Sequence, residues 1–164
     1  MSEAKTAKAP VVFERSYEAT VEELWAMWTT RDGFEAWWGP RGFRVEVHAI
    51  DPTVGGALVY DMIAAGEDEI AFMKREGMPL SHGVRATFTE VDAPRALTIT
   101  SVIDFIPGVG AYENKIRVEF SAEGTRARMV VAVDAHPDDE WTKRASAGME
   151  SQLTKLPDAL VSRR

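Results

Sequence analysis

The N-terminal part of the chain changes from an alternating pattern to a helical one at residue 20. Residues 11–19, VVFERSYEA, alternate weakly and predict a strand. Thr20 and Glu23 then form the T-x-x-E pattern of a capping box, whose side chains satisfy the free amides at a helix start. The apolar residues that follow have the spacing of one buried helical stripe and are Val21, Leu24, Trp25 and Trp28. We therefore predict a strand that leads directly into a helix.

A second short helix is predicted immediately after the first. Thr30 can cap it, and Gly39-Pro40 must end it because proline disfavours helical geometry in the residue before it. Trp37 and Trp38 are neighbours and so point in different directions. We expect one of these rings to meet solvent, a loop or a ligand, which makes the W-W-G-P corner a candidate cavity rim.

From Phe43 the period is two, which predicts six further strands. They lie near 43–50, 56–63, 83–91, 96–105, 112–121 and 126–134. Consecutive strands joined by short turns must pair antiparallel. The last segment, 137–162, has one apolar helical face, and Pro157 should kink this helix or end its regular part. The predicted fold class is α+β: a helix-grip fold with a seven-stranded, curved antiparallel sheet wrapped around a long C-terminal helix and two short helices after the first strand.

The connection at residues 64–82 is too long for a hairpin turn and predicts a helical insertion. Three acids at 67–69 suit the start of a helix, and Gly77 is placed to end it. We hypothesise that the insertion closes over a pocket mouth near Trp37 and Trp38. Its side chains in contact with the ligand would then be Phe72, Met73 and Met78. The alternative is a static helix that only covers a sheet edge.

Composition and charge exclude several classes of partner. The net charge of −7 argues against nucleic acid and anionic membranes, and no stretch has the roughly 20 apolar residues that a membrane span needs. The chain has no cysteine, which excludes disulfides and thiolate chemistry and favours a cytoplasmic location. Residues 1–10 have no apolar segment of a secretory signal and are interpreted as a mobile tail. We expect residues 11–164 to form a single domain.

The sequence contains no motif of a known catalytic, metal or cofactor site. Its three histidines, His48, His82 and His136, have no metal-ligand spacing, and G-x-S-x-G, G-x-G-x-x-G and P-loop motifs are absent. We assign no catalytic residue, metal or cofactor. His136 precedes a helix start and is interpreted as a capping or surface residue. His82 begins a strand and could point into a cavity, the alternative being a strand-edge histidine partly in solvent.

Polar side chains on otherwise apolar strand faces predict a ligand site. In 112–121, Tyr112 and Asn114 share one face with apolar residues, while Glu113 and Lys115 share the solvated one. Such isolated polar groups orient ligands in small-molecule pockets, although they could equally pair with one another or with buried water. The predicted ligand-binding residues are Trp37, Trp38, Tyr60, Met62, Phe72, Met73, Met78, His82, Ser101, Ile103, Tyr112, Asn114 and Met149.

Several segments resemble the START-like, or SRPBCC, superfamily, which includes Bet v 1-like proteins. The segments are YEATVEELWAMWT (17–29), FEAWWGPRGF (34–43), DPTVGGALVYDM (51–62), TEVDAPRAL (89–97) and GMESQLTKL (148–156). More narrowly, they resemble the branch of homologues of the activator of heat-shock protein 90 ATPase. The resemblance implies the helix-grip fold and a deep pocket between the sheet and the long helix. It implies no single reaction, because fold does not determine function.

The leading hypothesis is that the protein binds or carries a small hydrophobic molecule. The first alternative is a cofactor-independent cyclase or hydrolase-like enzyme on an aromatic or polyketide-like substrate. For such an enzyme, proton transfer could use only His82, Tyr60, Tyr112 or Asp104. The second alternative is a chaperone-associated interaction module, although the additional N-terminal domain of the eukaryotic co-chaperones has no counterpart here. The sequence leaves the oligomeric state open, with a homodimer among the alternatives.

Overall fold

The computed structural model describes residues 8–104 and 108–162. Its seven strands are β1 (Val11–Tyr17), β2 (Phe43–Ile50), β3 (Ala57–Ala64), β4 (Ser81–Asp92), β5 (Ala96–Ile103), β6 (Tyr112–Glu123) and β7 (Arg126–Val133). They form one antiparallel sheet in the order β1-β7-β6-β5-β4-β3-β2. Irregular registers in β2 and β4 increase the local bend of these strands. The predicted helix-grip fold is confirmed, with seven strands curled around a C-terminal helical segment.

Local capping determines the two short helices that follow β1. Helix α1 (Val21–Thr29) begins after Thr20, whose hydroxyl accepts from the Glu23 amide while the Glu23 carboxylate accepts from the Thr20 amide. Helix α2 (Arg31–Trp37) begins after Thr30, whose hydroxyl accepts from Gly33 N at 3.0 Å. Both predicted caps are therefore confirmed. The two helices pack on the sheet at the end where Trp28 and Phe34 are fully buried.

The predicted helical insertion is helix α3 (Glu67–Arg75), between β3 and β4. Acids occupy its first turn and Lys74 and Arg75 its last, as its dipole favours. The helix lies against the loop after α2, because Gly42 O accepts from the amides of Ala65 and Gly66. Gly42 has a φ of 93°, which favours glycine, and a side chain there would also displace the Glu69 carboxylate.

The C-terminal helical segment is broken in two. Helix α4 (Asp139–Leu153) ends in tight turns through Thr154 and Lys155, and helix α5 (Leu156–Ser162) follows. Pro157 is the second residue of α5, where its missing amide has no intrahelical partner to lose. Pro157 therefore lies in the first turn of a new helix and does not bend one continuous helix. No helix among the described residues is long and apolar enough to cross a membrane.

Of the predicted tail, residues 1–7 lie outside the described residues. Lys8 lies within them, and its ammonium group donates to Pro137 O at 2.7 Å and contacts the Asp139 carboxylate at 2.6 Å. Lys8 thus contacts the start of α4, and the mobile tail stays a prediction from the sequence. An exposed ion pair of this kind contributes on the order of 0–1 kcal/mol.

Candidate functional site

The strand register determines which side chains face α4. Residues paired across neighbouring antiparallel strands point to the same face, and the pairs Ser101–Asn114, Ala86–Ser101 and Leu58–Ala86 form one row across four strands. Asn114 is buried, whereas its neighbours Glu113 and Lys115 are exposed. The predicted parity of β6 is thus confirmed. Contact of these residues with a ligand remains a prediction.

Three ties hold α4 and the loop before it against this inner face. Arg15 of β1 contacts Glu150 at 2.5 Å. Gly39 N donates to Gln152 Oε1 at 2.9 Å, and Tyr112 of β6 is hydrogen-bonded to His136 just before α4. Because these ties involve strands and a loop at different places in the fold, they fix α4 across the sheet.

The inner face is dry at one end and partly open at the other. Toward α1 and α2, Leu58, Phe88, Leu97, Val118 and Met129 are almost completely buried. Other side chains of the same face are only partly buried, and we call this set the inner groove: Met62, Val84, Ser101, Ile103, Tyr112 and Ile116. On α4, Trp141, Ala145 and Ser146 are also partly buried. The inner groove is therefore the part of this face with room for contacts beyond the protein's own core.

Trp37 and Trp38 belong to a packed aromatic cluster. Trp37 is fully buried and donates to Met27 O at 2.8 Å, and Trp38 is 6% exposed and donates from Nε1 to Tyr60 Oη at 3.0 Å. Phe34 stacks on Trp38 with ring centroids 4.8 Å apart. Neither ring meets solvent, because the turn after α2 directs both into the core, and contact of either ring with a ligand stays a prediction. Burial raises the pKa of Tyr60 to about 12.

The loop after Trp38 clamps the end of α4 instead of forming a rim. Gly39 has a φ of 94°, and a side chain there would approach Met62 Sδ at 3.1 Å. Lys155 Nζ donates to Gly39 O at 2.8 Å, and Gln152 Nε2 to Met149 Sδ at 3.3 Å. Met149 is buried and packs in the core. Met62 thus lies beside Gly39, and Met149 lies beside Gln152.

A polar cluster lies at the opposite end of the groove. Tyr112 Oη and His136 Nδ1 are 2.5 Å apart, and Asn114 Nδ2 donates to Asp134 O at 3.1 Å. His136 is buried, and Asp138, not His136, caps α4 by accepting from Glu140 N. The capping or surface role expected for His136 is therefore wrong. Its position two residues before the cap gave no sequence signal of the contact with Tyr112.

Burial is the main cause of the altered proton affinities in this cluster. It lowers the pKa of His136, which Asp134 partly opposes, so the imidazole is neutral at pH 7. Burial, followed by the charge of Asp138, raises the pKa of Tyr112. The pair is thus uncharged near neutrality.

The predicted ligand residues of the insertion are mostly on the surface. Phe72 is 48% and Met78 47% exposed, whereas Met73 is buried. His82 is exposed and lies opposite Met62 in the β3–β4 register, which favours the strand-edge alternative for this histidine. Asp104, the carboxylate considered for proton transfer, is also exposed, at the end of β5. The structure therefore does not join these side chains into one enclosed site.

Three surface grooves among the described residues are lined by none of the inner-groove side chains. They are found between β1 and α5, at the first turn of α4, and between α1 and α5. The predicted enclosed cavity between sheet and α4 therefore stays a prediction. Within residues 8–104 and 108–162, no three His, Asp or Glu side chains form a group that could hold a metal ion.

Comparisons with known proteins agree with the resemblance seen in the sequence. The family model described as Activator of Hsp90 ATPase homolog 1-like protein matches residues 18–161. A crystal structure of an AHSA1 protein from Silicibacter pomeroyi is 22% identical, with 95% of this chain and 100% of that one covered and a TM-score of 0.72. A protein from Chromobacterium violaceum is 16% identical over 92% and 96% of the two chains, with a TM-score of 0.74. At these identities the structures show the fold alone, and no curated protein matches the chain.

Proposed function

We propose that the chain, which belongs to the Activator of Hsp90 ATPase homolog 1-like family, binds a small hydrophobic molecule between its sheet and α4. The observation that carries this proposal is the change in burial along one continuous sheet face. The side chains of this face are almost completely buried beneath α1 and α2, and they are only partly buried beneath the first half of α4. Apolar surface left partly exposed on a concave face, with few polar groups, is typical of small-molecule sites.

The side chains of the inner groove fit an apolar ligand better than a charged one. Met62, Val84, Ile103 and Ile116 supply apolar walls, and methionine adapts to ligands of different shape. Ser101 contributes a hydroxyl for which the described residues offer no side-chain hydrogen bond. Arg15, the cation on the same face of β1, is already paired with Glu150. A ligand carboxylate would therefore find no free cation among these residues.

The observations give less support to an enzyme. A catalytic acid or base works best with a pKa near the operating pH, and burial raises that of Tyr60 to about 12. The Tyr60 hydroxyl is also occupied as the acceptor of Trp38 Nε1. A chaperone-associated role, a homodimer and a cytoplasmic location remain predictions from the sequence.

Binding can be tested with N-phenyl-1-naphthylamine, whose fluorescence rises in an apolar site. We expect saturable binding of one probe per chain. Ser101→Phe should weaken it at least tenfold, because the added ring would fill the middle of the inner groove. Val102→Phe is the matched control: Val102 is the next residue of β5, is 58% exposed on the opposite face, and should retain wild-type affinity.

Two outcomes would contradict the proposal. One is an absence of saturable probe binding by the wild-type protein. The other is equal weakening by both phenylalanine variants, once near-UV circular dichroism has shown that both are folded. Native mass spectrometry of the purified protein would additionally give the mass of any molecule that remains bound.

A further inference from the structure

We infer that Tyr112 and His136 bind the polar end of the ligand, and that this ligand is a neutral alcohol, phenol or ketone with an apolar body. The inference rests on the proposed function and names the chemical class that the groove would take. It starts from the position of the pair. Tyr112 belongs to the inner groove and is opposite Ile103 in the β5–β6 register. Its ring therefore extends the apolar wall of the groove, and its hydroxyl forms the polar end of that wall.

The pair retains hydrogen-bonding capacity that the described protein groups do not use. If the Tyr112 hydroxyl donates to His136 Nδ1, then His136 Nε2 carries a proton and the tyrosine oxygen still has an acceptor lone pair. In the other tautomer, Nδ1 donates to the tyrosine oxygen, the hydroxyl proton is available and Nε2 is an acceptor. Either arrangement therefore offers one donor and one acceptor. A ligand hydroxyl can use either one of them, and a ketone can use the donor.

The surroundings of the pair disfavour an anionic ligand group. Asp134 follows β7 and Asp138 caps α4, and both carboxylates already accept backbone amides. Lys115 points to the opposite face of β6, and Lys8 is bonded to Asp139 and Pro137. A carboxylate ligand would thus meet two acids, whereas a neutral group leaves this balance unchanged.

The site is also mechanically fixed. His136 N donates to Thr142 Oγ1 at 2.8 Å, and Thr142 Oγ1 contacts His136 O at 3.2 Å, which joins the loop before α4 to its first turn. Asn114, two residues after Tyr112, donates to Asp134 O. The two rings are therefore held in one relative orientation by β6, the loop and α4. Ligand binding would not incur the entropic cost of ordering them.

The test uses the displacement of N-phenyl-1-naphthylamine by three matched compounds: 1-naphthol, 1-methylnaphthalene and 1-naphthoate. Wild-type protein should bind 1-naphthol about five- to tenfold more tightly than 1-methylnaphthalene, the value of one additional hydrogen bond, and 1-naphthoate most weakly. Tyr112→Phe should reduce the naphthol preference to about twofold or less. Because the preference is a ratio of two affinities measured within the same variant, a general change in affinity does not affect it. Tyr17→Phe is the matched control, since Tyr17 lies on β1 away from the pair, and it should keep the full preference.

An unchanged naphthol preference in Tyr112→Phe, or tightest binding of 1-naphthoate by the wild type, would overturn the inference while leaving the proposed function standing. If the wild type binds no probe at all, the proposed function fails first and the inference with it. A measurement without substitution covers the case of an unstable variant. The ¹⁵N imidazole resonances of His136 should shift when 1-naphthol is added and not when 1-methylnaphthalene is added, and equal responses to both would refute the assigned contact.

Discussion

At the residue scale, the three tyrosines show how the same side chain acquires different roles from its partners. Tyr60 accepts from Trp38, and Tyr112 is bonded to His136. Tyr17 is only 5% exposed, and its hydroxyl has no hydrogen-bond partner, the sole such buried side-chain atom in the described residues. Burial raises its pKa to about 12, a sign of the same desolvation.

Tyr17→Phe should therefore stabilise the protein. Removing an unpartnered buried hydroxyl avoids a desolvation cost of about 1–3 kcal/mol, and we expect the free energy of unfolding in urea to rise by about 1 kcal/mol. The matched variant Tyr60→Phe should lower it by about 1 kcal/mol, because Trp38 Nε1 would lose its buried acceptor. A loss of stability in Tyr17→Phe would mean that its hydroxyl is hydrogen-bonded in solution.

Individual site residues were less predictable than their faces. The inward direction of Asn114 follows from alternation along one strand, which local sequence contains. The contact between Tyr112 and His136 joins positions 24 residues apart through a loop geometry that no periodicity encodes. The burial of both Trp37 and Trp38 likewise depends on the turn at Gly39 and on its bond to Gln152, 113 residues away.

At the element scale, the caps and strand periods predicted most of the fold. Thr20 with Glu23 and Thr30 with Gly33 form bonds across three residues, so these helix starts are local properties. The break before α5 was harder to place. Proline indicates an interruption, but the interruption lies at Thr154 and Lys155 because proline fits the first turn of a new helix.

The insertion carrying α3 offers a prediction at this scale. Its helix is attached through Gly42 and the buried Met73, whereas Phe72 and Met78 are about half exposed. If it acts as the hypothesised lid, amides in 67–80 should gain hydrogen-exchange protection when a saturating hydrophobic ligand, N-phenyl-1-naphthylamine, is added. The gain should be smaller in Ser101→Phe at the same probe concentration, because this variant is expected to bind the probe at least tenfold more weakly. Unchanged protection across 67–80 in the wild type would favour the static alternative.

At the scale of the whole molecule, stability is linked to pH through the tie between sheet and α4. His136 is buried in the folded protein, and this burial lowers its pKa. The unfolded chain therefore binds more protons than the folded one as the pH falls through the ordinary histidine value of about 6.5. The corresponding stability is present above that value and is lost at lower pH.

We accordingly expect the free energy of unfolding in urea to fall between pH 7.5 and 5.5. His136→Asn should make the same profile flatter, since it removes the group that takes up the proton. His82→Asn is the matched control, because His82 is exposed on β4, and its profile should follow the wild type. Parallel profiles for wild type and His136→Asn would show that protonation of His136 does not oppose folding. The neutral Tyr112–His136 pair would then lose its energetic basis, because a histidine that accepts a proton without cost could also receive a carboxylate.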